Sequence, residues 1–321
     1  EVEAFWDFLD VDASEADRRL QSTGVSITAL SNIPTQPLST ALQQLNIQVV
    51  PSGEIEIVLT DDYLRIELEQ INHKALESRR PWMLVKPVGK IIWIGPIFHP
   101  GKTGCWQCLA QRLQANRPLE NFIRERETVS SLATTSRAAL PSTMQTAINL
   151  AATEIAKWLV QSSDRRLEGK IATFDTISWQ IKEHTLTKRP QCPACGNPEH
   201  PFEKKPSPIT IQSRQKSFTA DGGHRCVSPE QTLQKYQHHI SPITGAVRGL
   251  SRITRSPSKL TPNYIAGHNF ASMFDSLYFL RENLRGRSAG KGKSDAQAKA
   301  SALCEAIERY SGVFQGCLLY T

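Results

Sequence analysis

Two C-x2-C pairs, Cys105 and Cys108 in C-W-Q-C and Cys192 and Cys195 in C-P-A-C-G, constrain the fold of this chain more than any other feature. Four thiolates suit a tetrahedral zinc with no open position, and such an ion is structural rather than catalytic. Residues 109–191 lie between the pairs, too many for a zinc ribbon, so one ion would tie distant segments of a single fold together. The rival is a redox dithiol, which counts for less because neither pair is expected to open a helix after a strand. Seven cysteines, an odd number, suit a reducing cytoplasm better than a disulfide frame. Cys226, Cys304 and Cys317 have no ligand spacing and read as ordinary thiols.

The chain before the first pair alternates. Residues 1–21 are expected to form an amphipathic opening helix, with Val2, Phe5, Trp6 and Leu9 at helical spacing and a second turn of chain starting at Asp12 or Ser14. From Val25, V-S-I-T-A-L is strand-like, P-L-S-T-A-L-Q-Q-L helix-like and N-I-Q-V-V strand-like. Then come the strand E-I-E-I-V-L-T, a helix over Leu64–Leu76 and a hairpin-like pair, W-M-L-V-K-P-V and K-I-I-W-I-G-P-I-F. This order predicts a parallel sheet with crossover helices, an α/β fold. A nucleotide-binding sheet of that kind has a glycine-rich first loop, whose amides approach phosphate. Here the loop is S-N-I-P-T-Q, without glycine, so no phosphate cradle is expected. Asp61 and Asp62, just after a strand, read as helix-start caps rather than nucleotide ligands.

Between the cysteine pairs, residues 114–140 are polar and arginine-rich, which suggests a surface crossover or loop. P-S-T-M-Q-T-A-I-N-L-A-A-T-E-I-A-K-W-L-V is an amphipathic helix opened by Pro141, with Met144, Ile148, Ala151, Ile155, Trp158 and Leu159 as its core stripe. Two strands, G-K-I-A-T-F-D and W-Q-I-K-E-H-T-L, lead to the second pair. A Pro- and Lys-rich linker over 197–217 separates a first domain over 22–196 from a second over 218–321, which has a helix at Leu233–Ile240. His224, His238 and His239 have neither ligand nor triad spacing.

The chemistry is expected in Gly290–Arg309, G-K-G-K-S-D-A-Q-A-K-A-S-A-L-C-E-A-I-E-R. A Gly/Lys loop should run into a helix capped by Ser294, with Gln297 completing a capping box. At about 100° per residue, Ser301, Glu305 and Glu308 fall within roughly 60° of one another. A hydroxyl and two carboxylates on one stripe, beside Arg309 and below Lys291, can hold magnesium and polyphosphate. Periodicity alone fits a solvated Glu/Arg face as well. Gly292-Lys293-Ser294 mimics the end of a phosphate-binding P-loop, but the glycine that motif requires at 287 is Arg287.

A length of 321 residues fits two domains, and a net charge of +7 favours anionic partners. No apolar run approaches the ~20 residues of a membrane helix, and the acidic start is no signal peptide. The basic residues around Arg281, Arg285, Arg287, Lys291 and Lys293 lack interleaved aromatics, which argues against nucleic acid.

G-K-G at Gly290–Gly292, followed by S-x3-E-x2-E-R at Ser301, Glu305, Glu308 and Arg309, resembles the ATP-binding signature of the YcaO family. The segments P-G-K-T-G-C-W-Q-C-L and K-R-P-Q-C-P-A-C-G, with the helix near Ala147–Leu159, resemble the ThiF/MoeB adenylating enzymes. In those enzymes the two C-x2-C pairs hold a structural zinc. Together with Y-Q-H-H-I-S-P-I-T-G-A-V, these stretches are similar to the fused heterocyclases of cyanobactin and other thiazole/oxazole (TOMM) pathways.

The resemblance implies a degenerate ThiF-like parallel-sheet domain, followed by the N-terminal part of an α+β YcaO domain. It implies ATP-dependent cyclodehydration of Cys, Ser or Thr in a ribosomal precursor peptide. Glu305 and Glu308 would be catalytic and bind Mg2+. Lys291, Ser301 and Arg309 would contact ATP, as would Arg225 and Thr232 more weakly. A homodimer is compatible with this reading. The family also carries an N-terminal peptide clamp and later carboxylates, so this sequence is expected to be a piece of a longer protein. The competing classes are a non-catalytic scaffold that docks precursor peptide and a ThiF-type adenylating enzyme.

Overall fold

The computed structural model describes residues 2–126, 138–161, 165–196, 208–213, 215, 225–253, 261–268, 277–283 and 286–313. The chain divides into two units, residues 1–110 with 131–189 and residues 111–130 with 190–321.

The first unit opens with two helices rather than one, α1 (Val2–Asp7) and α2 (Ala13–Ser22). The chain breaks at Asp10, whose φ of 53° is incompatible with a helix. Asp12 then caps α2 by accepting from the Glu15 amide at 3.1 Å. Beyond them run β1 (Gly24–Ala29), α3 (Gln36–Gln43), β2 (Gln48–Val49), β3 (Ile55–Leu59), α4 (Glu67–Ser78), β4 (Trp82–Lys86) and β5 (Ile91–Phe98). After α5 (Trp106–Asn116), which runs on into the second unit, and α6 (Pro118–Arg126), which belongs to it, the first unit resumes with α7 (Pro141–Val160), β6 (Lys170–Asp175) and β7 (Gln180–Thr185).

The strands form one sheet in the order β2-β1-β3-β4-β5-β6-β7. Strands β2, β1, β3 and β4 are parallel, and β5, β6 and β7 add antiparallel. This is the expected α/β pattern. Central strands β3 and β4 are apolar without alternation (Ile57, Val58 and Leu59; Met83, Leu84 and Val85), because both faces of a parallel sheet are covered. The α7 stripe of Ile148, Ala151, Ile155 and Trp158 enters the same core as Leu38 and Leu42 of α3.

Two further expectations for this unit and the stretch after it change. Helix α4 begins at Glu67, and neither aspartate before it is its cap: buried Asp61 pairs with Arg65 at 2.6 Å, while Asp62 accepts from the Leu64 amide at 3.1 Å. The stretch expected to be a crossover or loop is helical through Arg126 in α5 and α6, and residues 127–137 lie outside the described residues.

The second unit holds α8 (Pro229–Tyr236), β8 (Gly249–Arg252), β9 (Asn263–His268), α9 (Leu277–Asn283), β10 (Gly286–Lys291) and α10 (Asp295–Ser311). A 3-10 turn over Gln237–His239 extends α8, whose start, four residues before the expected Leu233, is set by Ser228 and Gln231 in a reciprocal capping box. The three strands pair antiparallel in the order β10-β9-β8. Their core is small: Val247, Tyr264 and Ala266 meet Ala298, Ala302, Leu303 and Ala306 of α10, with Leu233 and Tyr236 of α8 at its margin. Among the described residues, no helix is long and apolar enough to cross a membrane.

Buried His184 on β7 lies 3.0 Å from the Thr173 hydroxyl, and burial, then Lys182, pushes its pKa down from 6.5 to about 4. A depressed histidine leaves stability intact above the unfolded value. Stability is lost as pH falls from 6.5 towards 4, because only the unfolded chain takes up the proton. We expect His184→Gln to remove a slope of order 1–3 kcal/mol over that window, measured by denaturant unfolding at a series of pH values. Parallel wild-type and variant profiles would contradict this.

Candidate functional site

Helix α10 is positioned by a close approach of backbones. On β10, Gly286, Ser288 and Gly290 share the face turned to α10, while Arg287, Ala289 and Lys291 alternate to the other. A Cβ on Gly290 would lie 2.1 Å from the Ala302 nitrogen and 2.2 Å from the Ala298 carbonyl oxygen. No side chain fits there, and the alanines of α10 are its complement. The first half of the expected Gly/Lys loop is therefore strand, with Gly290 and Lys291 ending β10, while Gly292 and Lys293 form the turn. Ser294 does cap α10, accepting from the Gln297 amide at 3.2 Å. The return bond shifts by one residue, with the Lys293 amide donating to Gln297 Oε1 at 2.6 Å. That choice closes the turn between strand and helix as well as capping the helix.

Ser301, Glu305, Glu308 and Arg309 all lie on α10. Ser301, Glu308 and Arg309 are exposed and Glu305 is half-buried. Arg309 reaches back one turn and donates to Glu305 Oε1 through Nη2 at 2.8 Å and Nε at 3.1 Å. Glu305 is thus paired rather than left beside a like charge, whereas Glu308 makes no ion pair among the described residues.

Arg225 is exposed, and its charge acts on Cys304 of the same helix, opposing the rise that burial imposes on that thiol. Thr232 is less well suited to a ligand, because its hydroxyl donates to the Ser228 carbonyl at 3.0 Å within α8. Lys291 is exposed, but on the face of β10 that points away from α10. The structure therefore brings Ser301, Glu305, Glu308 and Arg309 together, sets Arg225 near them, and leaves Lys291 off their face.

Two residues at this site carry no sequence signal. Buried Arg112 donates to the Tyr310 hydroxyl and stacks 4.3 Å from its ring centroid, anchoring the residue after Arg309. Buried His268, the last residue of β9, lies 3.1 Å from the Ser288 hydroxyl. The His238 and His239 rings are tilted at 44° with centroids 4.0 Å apart, and burial, then His238 and Arg112, pushes the His239 pKa down to about 4. Among the described residues they belong to no ligand set. His224 and Cys317 lie outside the described residues.

The sulfurs of Cys105, Cys108, Cys192 and Cys195 all lie within 4.8 Å of one another, and none is in a disulfide. A tetrahedral zinc with bonds of about 2.3 Å needs sulfurs about 3.8 Å apart, so four thiols gathered this closely fit such an ion. Local geometry supports each pair. The Trp106 amide donates to buried Asn72 at 3.0 Å, and the Arg189 amide donates to Cys108 Sγ at 3.5 Å. A Cβ on Gly196 would strike the Pro190 carbonyl at 2.1 Å, so the turn after Cys192 needs glycine. One sequence argument fails: Cys105 and Cys108 do stand at the start of a helix, α5, soon after strand β5. The convergence of all four thiols, rather than helix position, separates this cluster from a dithiol. Cys226 and Cys304 are exposed and stand apart from it.

Residues 289–318 match the family model described as YcaO cyclodehydratase, ATP- and Mg2+-binding, so the polar stripe of α10 lies inside the match. No curated protein matches the chain. Among solved structures, a heterocyclase in complex with substrate and cofactor is 46% identical, with a TM-score of 0.86. That alignment covers 98% of this chain and 42% of the heterocyclase. The heterocyclase TruD is 39% identical at a TM-score of 0.71, over 98% of this chain and 39% of its own. The chain thus spans about two fifths of the length of these relatives. E. coli MccB with ATP, at 16% identity and a TM-score of 0.43, is too loose a likeness to carry an argument. The resemblance to YcaO heterocyclases drawn from G-K-G and S-x3-E-x2-E-R is borne out.

If the Gly290 contact sets the position of α10, Gly290→Ala should destabilise the protein by about 2–3 kcal/mol through overpacking. Gly267→Ala, where an added Cβ meets nothing within 4 Å, is the control and should cost less than about 1 kcal/mol. Equal melting shifts for the two would remove the argument.

Proposed function

We propose that this chain carries part of the nucleotide site of an ATP-dependent peptide cyclodehydratase, acting on Cys, Ser or Thr of a ribosomal precursor peptide. The observation that supports it most is the outward-facing stripe of Ser301, Glu305, Glu308 and Arg309 inside the 289–318 match. In this reaction the substrate side chain adds to the preceding amide carbonyl. The oxygen so formed attacks the γ-phosphate of ATP and displaces ADP, and elimination of that oxygen as phosphate, with loss of the amide N–H proton, leaves the C=N bond of an azoline ring.

In this reading Glu305 and Glu308 hold magnesium, and Ser301 hydrogen-bonds nucleotide. Arg309, now on Glu305, is one turn from where phosphate charge would gather. Magnesium takes six oxygens, so two carboxylates leave positions for phosphate and water. Arg225 supplies positive charge beside the stripe, while Lys291 would have to reach round the strand end. Fixed charges of this kind supply most of phosphoryl-transfer catalysis. Residues 218–321 then form the N-terminal part of a YcaO domain after a linker over 197–217.

Residues 22–196 fit a ThiF-like domain retained as scaffold. The first loop buries Ile33 in the core, and Ser31 has a φ of 67°, so a side chain stands where an adenylating enzyme needs bare amides. The four cysteines hold a structural zinc in this reading.

Two measurements test the proposal. Glu305→Gln and Glu308→Gln should each lower ATP turnover with a Cys-containing precursor by about 10²-fold, while melting behaviour stays intact. Near-normal ATP-dependent loss of water from the peptide in both variants would sink this assignment. For the metal, elemental analysis should find close to one zinc per chain, and Cys192→Ser should lower both zinc content and melting midpoint. A metal-free protein with an unchanged melting curve excludes the zinc.

A further inference from the structure

His268 occupies a place where packing alone would favour an apolar side chain. It is 3% exposed and shares the β9 face of Tyr264 and Ala266, which pack on α10. Its backbone partner across the sheet is Gly286. A Cβ at 286 would come within 2.8 Å of the ring Nδ1 and 3.1 Å of Cε1, so the glycine makes room for the imidazole. The ring Nε2 lies 3.1 Å from the hydroxyl of Ser288, which is fully buried.

The register places this ring under the functional end of the helix. β10 and α10 are joined by a tight turn and run back along one another, with Gly290 against Ala298 and Ala302. Gly286 lies four residues earlier, about 13 Å along the strand. That distance is about nine residues further along a helix, which leads to the turns holding Glu305, Glu308 and Arg309. Electrostatics agrees: burial pushes the ring pKa down, Arg309 pushes it further, and Glu305 opposes, so both members of the pair act on the imidazole.

We propose that His268, anchored by Ser288, is a positioning residue that fixes the helical turn carrying Glu305 and Arg309, and with it the magnesium–nucleotide face, from beneath. This rests on the function proposed above. A neutral polar ring suits the place, because a charged side chain would compete with Arg309 for Glu305. An apolar one would leave the buried Ser288 hydroxyl without the ring nitrogen.

The test compares His268→Leu, His268→Gln and Ser288→Ala in the full chain, with Mg-ATP and a Cys-containing precursor. His268→Leu should raise KM for ATP about tenfold, with a smaller change in kcat. His268→Gln, whose amide can reach Ser288, should return KM to within about twofold of wild type, and Ser288→Ala should raise it about threefold. KM within about twofold of wild type in both the Leu and Ala variants overturns the proposal. So does equal loss in Leu and Gln with a lowered midpoint, which assigns His268 to packing alone. If the Leu variant does not fold, the Gln and Ala variants decide by the same limits. Glu305→Gln, run alongside, separates the failures. Unimpaired turnover there removes the underlying reading, whereas loss there with wild-type behaviour in the His268 and Ser288 variants removes only this inference.

Discussion

The second unit depends on one contact, the approach of the β10 backbone to that of α10 at Gly290. Dispersion falls off steeply with distance, so a core with few large side chains must bring its elements close to gain much from packing. Ala298, Ala302 and Ala306 do this from the helix, and Gly286, Ser288 and Gly290 from the strand. Such a contact tolerates little sliding, because a side chain out of register on either element would strike backbone. The rotation of α10 about its axis is set by the same alanines. That rotation turns Ser301, Glu308 and Arg309 outward and leaves Glu305 at the margin. Catalytic groups lose much of their effect when displaced by about 1 Å, so a helix held by backbone contact is a suitable platform.

The first unit shows the opposite condition. Its parallel strands have the order and burial of a nucleotide-binding sheet, and ligands of such sheets gather at the carboxyl ends of the strands. At those ends Ile33 is packed into the core, Ser31 takes a left-handed conformation and Asp61 is occupied by Arg65. Each feature removes something a phosphate needs: open space, bare amides, or a free carboxylate for a metal. The sheet persists because its stability comes from Ile57, Leu59, Met83 and Val85, none of which depends on nucleotide.

The sheet was legible because continuous apolar strands and amphipathic helices are local patterns, and β1, β3, β4, α7 and the β4–β5 pair follow them. The α10 stripe was legible for the same reason. What escaped were single backbone angles and features set by contacts distant in sequence. Asp10 breaks the opening helix by a backbone angle, and α6 takes shape in a stretch whose composition is loop-like. The Gly/Lys segment gave no strand signal because its apolar residues are replaced by small ones, and the pairing with β9 that makes it a strand comes from residues 263–268. His268 and Arg112 are single polar residues in apolar surroundings, and only the fold shows that they meet Ser288 and Tyr310.

The Glu305–Arg309 pair is the most informative part of the site because it contributes so little to stability. An exposed i,i+4 pair on a helix is worth about 0.3–0.5 kcal/mol, less than the thermal cost of most core defects. Its presence therefore does not explain why α10 folds; the alanine–glycine contact does. A weak pair can open without disturbing the helix beneath it. A divalent cation could take Glu305 from Arg309 at small cost, leaving the guanidinium one turn away with its charge unsatisfied. Arg309 would then be drawn to the next anion to arrive, and a guanidinium fork matches phosphate oxygens. Had the pair been buried, breaking it would cost about 3–5 kcal/mol and the exchange would stall. The half-exposed setting of Glu305, on a helix fixed by other means, is what leaves the exchange open.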